Sequence, residues 1–218
     1  MLKYKVKILE IDLILRNTIR LVCEKPEGYK YLPGQAASIW LPGILKPKPF
    51  TMTGIESDNF LEFIIRIYHD GGGFTVKLSQ LKVGDYIEIS KAWGKMFYKG
   101  DGVFIAGGCG ITPFIAILRQ MKNKKLLTKD TVLFYSCKSS LDVIHEKELK
   151  YYLGDNAIFT LTQESLGDYC YGRIDAKLIE SKLDNFSKIF YLCGPNPFIN
   201  EMKNFLKDKG VKEIVTEL

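Results

Sequence analysis

The pattern of apolar and polar positions changes rhythm near residue 100. Before it, residues 3–15 alternate loosely between apolar and polar, and 18–24 and 35–41 read as further strands. Turn signals at Pro26-Glu27-Gly28 and Pro33-Gly34 separate them, and Lys46-Pro47-Lys48-Pro49 interrupts the chain again. Strand character resumes at 50–53 and 61–68, and Val83-Gly84-Asp85 turns into 86–90. Several short strands at this spacing predict an antiparallel barrel.

After residue 100, strands alternate with helices. Strands are predicted at 103–106, 131–136, 158–162, 188–193 and 212–216, and helices at 113–124, 143–153, 176–183 and 197–209. Asp175 and Asn196 read as N-caps, Pro197 as a first helical residue and Gly210 as a stop. Five strands alternating with four helices predict an open parallel sheet covered on both faces. The expected fold class is therefore β plus α/β. An antiparallel β-barrel over residues 1–99 is followed by a five-stranded parallel, Rossmann-like domain over 100–218.

Two glycine runs fall where this pattern makes them chemical candidates. Gly107-Gly108-Cys109-Gly110-Ile111-Thr112-Pro113 joins the strand at 103–106 to a helix with Phe114, Ile117, Leu118 and Met121 on one face. Thr112 suits the N-cap and Pro113 the first helical position. A strand, a glycine turn and a helix N-terminus form a ready pyrophosphate site, because the backbone N–H groups and the helix dipole attract its charge. The second run, Asp70-Gly71-Gly72-Gly73, precedes a short helical stretch at 74–78. It serves either as another anion cradle or as a flexible hairpin tip.

Composition narrows the partners. At 218 residues and 46% hydrophobic content, the chain can bury one large core or two smaller ones. No run of 18 residues escapes polar or glycine interruption, and residues 1–12 carry no apolar signal region, so a cytoplasmic protein without a membrane span is expected. The five cysteines are scattered without C-x-x-C spacing and the two histidines lie far apart, so no metal or iron–sulfur site is expected. The net charge of +6 is spread along the chain as lysine with no dense basic run, which argues against nucleic acid. Such a surface serves either to steer an acidic protein partner or simply as a solvated lysine-rich face.

Four stretches occur in one order: Lys48-Pro49-Phe50-Thr51, Gly72-Gly73-Phe74-Thr75, Gly108-Cys109-Gly110-Ile111-Thr112-Pro113 and Cys193-Gly194-Pro195. That order resembles the ferredoxin–NADP(+) reductase family, closest to its compact bacterial flavodoxin/ferredoxin reductases, over essentially the whole chain. The resemblance implies that the barrel binds FAD and the α/β domain binds NADP, with NAD the lesser alternative. Lys48, in place of the family's arginine, would meet a flavin phosphate, Phe50 would pack on the ring beside Pro49, and Thr51 would lie near flavin N5. Ile65, Ile67 and Tyr68 fall on the family's next flavin-lining strand, and Gly72, Gly73, Phe74 and Thr75 on its FAD pyrophosphate loop. Gly107, Gly108, Gly110, Thr112 and Pro113 fall on the nicotinamide-nucleotide turn, and Cys193, Gly194 and Pro195 on the approach to the nicotinamide.

No acid follows the second sheet strand before Asp142, whereas Ser136 and Lys138, with Arg173 assisting, stand where a 2′-phosphate would be met. The resemblance places Glu217 at the flavin edge as a proton or charge partner, where plant-type members end in an aromatic ring. The implied activity passes a hydride between nicotinamide and FAD, with Thr51, Cys193 and Glu217 as the catalytic set. Electrons then pass singly to a protein acceptor such as flavodoxin or ferredoxin. The alternatives are an NADH-dependent reductase component of an oxygenase or a non-catalytic flavin-binding subunit, and FMN in place of FAD.

Overall fold

Strand β1 (Lys3–Leu15) is 13 residues long because it serves two partners. The computed structural model describes residues 2–69 and 73–217. The first half of β1 pairs antiparallel with β6 (Tyr86–Ser90), from Lys3↔Ser90 to Lys7↔Tyr86. Its second half pairs with β2 (Thr18–Glu24), from Ile8↔Cys23 to Leu15↔Thr18, with register shifts at Ile8/Glu10 and Leu13/Leu15. Such irregularities bend a strand, as a closing sheet requires.

With β3 (Ala36–Trp40), β4 (Lys48–Thr51) and β5 (Phe60–Arg66), the strand order is β4-β3-β6-β1-β2-β5. A bridge between Met52 and Phe63 joins the two ends, closing the barrel expected from the alternation. Val6, Ile8, Leu21, Ile39, Phe63 and Ile87 are buried inside it.

The parallel sheet holds six strands rather than five: β7 (Gly102–Gly107), β8 (Val132–Cys137), β9 (Ala157–Leu161), β10 (Cys170–Tyr171), β11 (Ile189–Cys193) and β12 (Ile214–Thr216), ordered β10-β9-β8-β7-β11-β12. The additional strand, β10, is two residues long, too short to leave an apolar run in the sequence. Phe104, Leu133, Tyr135 and Phe159 pack on one face with Phe114, Ile117, Leu118 and Met121 of α2 (Thr112–Asn123) and Leu149 of α3 (Glu146–Leu153). Val103, Ile105, Phe134, Phe190 and Leu192 pack on the other with Ile179 of α4 (Ala176–Lys182) and Met202 and Leu206 of α5 (Asn196–Asp208). A short helix of the barrel half, α1 (Phe74–Ser79), follows Gly73.

Three helix starts differ from the sequence pattern. Thr112 lies inside α2 behind a 3₁₀ turn at Gly108–Ile111, and its hydroxyl turns back to donate to the Cys109 carbonyl at 3.0 Å. α3 begins at Glu146 rather than 143, because His145 takes a left-handed conformation (φ 52°) and Ser139 with Asp142 closes a capping box of its own. Pro195, not Asn196, occupies the cap of α5. Asp175 does cap α4, accepting from Leu178 N at 2.8 Å.

The two halves are fastened through charge. Buried Glu62 of β5 accepts hydrogen bonds from Arg20, Thr53 and Arg119, and Arg119 of α2 also grips Glu148 of α3 at 2.6 and 2.9 Å.

Candidate functional site

The chain enters the parallel sheet at β7, builds β8 to β10 on one side of it, and returns to place β11 and β12 on the other. The point where strand order reverses opens a crevice at the carboxyl ends of β7 and β11. Two loops meet there backbone to backbone. A Cβ on Gly110 would stand 2.3 Å from the Cys193 oxygen and 2.6 Å from Gly194 N, so this contact admits glycine alone. Gly194 (φ 154°) leans in turn on Gly107, leaving a Cβ position 3.1 Å from Gly107 N. Gly108 (φ 55°) differs: a Cβ there would face open space.

That open space belongs to a cleft of about 730 Å³ between the sheet and the barrel. From the sheet side Gly107, Gly108, Cys109 and Pro195 line one part, and Ser136, Lys138 and Arg173 another; from the barrel come Arg66, Ile67 and Tyr68. A glycine turn at the carboxyl edge together with exposed cations farther along matches the charge distribution of a nicotinamide dinucleotide, whose phosphates need N–H donors and positive charge.

Gly110, Thr112 and Pro113 are buried and do not line the cleft; they form the floor that holds the turn. Ile67, buried at the barrel wall, sends its N–H to the Asn17 carbonyl at 2.7 Å. Tyr68 is exposed; its N–H reaches the Thr75 hydroxyl at 3.0 Å and its own hydroxyl approaches the Cys109 thiol at 3.9 Å.

On the barrel, Lys48 and Pro49 are exposed at the start of β4, and half-buried Phe50 packs against Phe74 with ring centroids 5.8 Å apart. Ile65 is fully buried in the barrel wall. Gly73 takes an extended conformation ahead of α1, whereas Gly72 lies outside the described residues. An exposed cation beside an aromatic platform suits a ring with a phosphate tail.

Thr51, Cys193 and Glu217 come together where the two halves meet. The Thr51 hydroxyl and the Cys193 thiol both stand close enough to the Glu217 carboxyl to favour its charged form. Glu217 keeps solvent-exposed area, yet the protein packed around its carboxyl displaces enough water to raise it above its ordinary range. The neighbouring Cys193 thiol and Thr51 hydroxyl offset that only in part. Burial, with the Glu217 charge beside it, pushes the Cys193 thiol well up, so it stays a neutral, small, polarizable group.

Several residues of this region lie outside the sequence expectation. Arg66 of β5 donates to Asp142 at 2.6 Å, and Phe198 and Glu201 of α5 line the cleft. Glu62 has a legible signal, as a lone acid inside the apolar run of β5, and so does Arg119 within the apolar stripe of α2. Asn17, at the β1–β2 turn, has none.

Comparison with known proteins agrees with this division of labour. Residues 3–95 match the FAD-binding domain family and residues 104–204 the oxidoreductase NAD-binding domain family. Methane monooxygenase component C of Methylosinus trichosporium is 30% identical over 138 residues, covering 59% of this chain and 41% of the relative. The reductase component of propane 2-monooxygenase from Rhodococcus jostii is 26% identical over 209 residues, covering 88% and 56%. The chain thus spans about half the length of these curated relatives. In fold it is similar to a ferredoxin NADP+ reductase from Neisseria gonorrhoeae solved with bound FAD and NADP, at a TM-score of 0.85 and 21% identity over 99% of this chain and 98% of that one. Among the described residues, no helix is long and apolar enough to cross a membrane.

Proposed function

Since the chain belongs to the ferredoxin–NADP(+) reductase family of FAD/NAD oxidoreductases, we propose that it is an FAD-dependent NAD(P)H reductase that hands electrons to a protein acceptor. Residues 1–99 form the flavin unit and 100–218 the nicotinamide unit. The approach of Thr51, Cys193 and Glu217 to one another carries this reading, because it joins the flavin platform to the carboxyl edge of the nucleotide sheet. FAD, when bound, supplies the chemistry of taking a hydride and releasing its electrons singly.

The residues position and exclude. Lys48 holds phosphate, Phe50 backs the ring, and Gly73, Phe74 and Thr75 hold the FAD pyrophosphate. Gly107 and Gly108 let a nicotinamide nucleotide approach closely, above a floor set by Gly110, Thr112 and Pro113. Cys193 leaves room for the nicotinamide ring, and Glu217 places a carboxyl within reach of Thr51. Ser136, Lys138 and Arg173 favour a 2′-phosphate, hence NADPH over NADH. The acceptor is an acidic protein of the flavodoxin or ferredoxin class, and the site of action is the cytoplasm.

The names of the curated relatives favour a second reading, an NADH-dependent reductase component serving an oxygenase. Anaerobic stopped-flow titration of the FAD-loaded protein with NADPH and with NADH separates the two. Flavin bleaching at lower concentration with NADPH supports the first, and the reverse preference supports the second. No bleaching with either would sink the reductase assignment.

A further inference from the structure

The β8–α3 loop carries Lys138 into the cleft, and its polar backbone atoms are tied down one after another. The Lys138 carbonyl accepts from Gln163 N at 2.9 Å, and Ser140 N donates to Glu164 Oε2 at 2.7 Å. Between them, Ser139 donates from both its N–H (3.3 Å) and its hydroxyl (2.9 Å) to one carboxylate oxygen of Asp142. The other oxygen of Asp142 leaves the loop altogether and meets Arg66 Nη2 at 2.6 Å. The Asp142 side chain is 6% exposed and that of Arg66 21%, so the pair is shielded from solvent and its geometry is held firmly. Arg66 ends β5, immediately before the cleft-lining residues Ile67 and Tyr68. The loop bearing Lys138 is thereby fixed in register to the barrel strand that faces the nucleotide.

We propose that Asp142 and Arg66 act as one positioning unit that sets where Lys138 stands, and so the preference for a nucleotide bearing a 2′-phosphate. The inference rests on the NADPH reading above. Asp142 stands outside the cleft lining and Arg66 within it, and the pair works through the loop that Asp142 holds. Its mark is that both partners matter in the same direction. If the pair acted by charge alone, removing the acid and removing the cation would shift anion affinity in opposite directions. If it acts by placement, either loss releases the loop and both variants lose the same discrimination.

The test is equilibrium binding, by titration calorimetry, of 2′,5′-ADP and of 5′-ADP to the FAD-loaded protein and to Asp142→Asn, Arg66→Gln and the double variant. The amide oxygen introduced by Asp142→Asn still accepts from Ser139 while the ion pair is lost, which isolates the contact to Arg66. The expected result is a preference for 2′,5′-ADP over 5′-ADP that falls about tenfold in each single variant and no further in the double, the signature of residues acting as one unit. KM for NADPH rises in parallel in both single variants. Should Asp142→Asn fail to fold, Arg66→Gln makes the same comparison from the barrel side. Opposite shifts in the two single variants, additive losses in the double, or an unchanged preference would each overturn the proposal. A wild-type protein that binds the two probes equally would instead remove the NADPH reading itself.

Discussion

Arg119 Nη1 lies 2.5 Å from Glu62 Oε1, so a helix of the nucleotide sheet is bonded to a strand of the barrel at a point where the acid is almost wholly buried. Burial alone would raise the Glu62 carboxyl, yet the Arg119 charge and hydrogen bonds from Arg119, Arg20 and Thr53 outweigh it and hold the group at about 2. Because the folded value lies below the ordinary one, the stability this pair contributes is present above about pH 4.5 and is lost as pH falls toward 2. Glu62→Ala removes one of two acidic partners from each arginine, leaving Arg119 to Glu148 and Arg20 to Glu10, and should cost about 1.5–3 kcal/mol at neutral pH. Urea titrations of wild type and variant should converge as the pH is lowered through that window.

Gly110→Ala tests the contact between the two loops. With the new methyl 2.3 Å from the Cys193 oxygen, backbone has to move, and a loss of about 3 kcal/mol is expected in thermal unfolding. Gly108→Ala, whose Cβ meets no neighbour, should cost less stability despite its φ of 55°, but weaken nucleotide binding.

Glu217→Gln separates placement from proton supply. Since desolvation raises the Glu217 carboxyl, wild type should show a fall in flavin-reduction rate with increasing pH above the usual carboxylate range. The glutamine variant should lose that limb and run about a hundredfold slower at its wild-type optimum, a magnitude typical of a lost acid–base group. For stability the sign is opposite to that of Glu62: a raised folded value favours the fold at low pH and is lost as pH rises. The variant should therefore melt no lower than wild type at pH 8.

Lys138→Ala removes a cation from the cleft without disturbing the sheet, since the residue is exposed beyond β8. Loss of one charge-assisted hydrogen bond, about 1.5–3 kcal/mol, should raise KM for NADPH by about tenfold or more and leave KM for NADH nearly unchanged.

The barrel and the strand–helix alternation were legible because each leaves a periodic trace, and the glycine turn because of its residue type, which a backbone contact dictates at Gly110. What escaped has local physical causes. β10 is too short for periodicity, and the start of α3 depends on the left-handed His145. The cap of α2 moved because a 3₁₀ turn precedes Thr112 and takes up its hydroxyl. Arg66 and Asp142 lie 76 positions apart, so no spacing rule could pair them. The meeting of Thr51, Cys193 and Glu217 was likewise approached by resemblance, not by spacing.

Strand β12 is three residues long, pairs with β11 along one side, and stands at the edge of its sheet. Short edge elements open on their own, at a free energy far below that of global unfolding. Glu217 follows directly on this strand, so a brief detachment of β12 withdraws the carboxylate from Thr51 and Cys193 while both sheets remain intact. The amides of 214–216 should then exchange with solvent deuterium well ahead of those in β7 and β11, and the Glu217 side chain should leave and rejoin the site on the timescale of that opening.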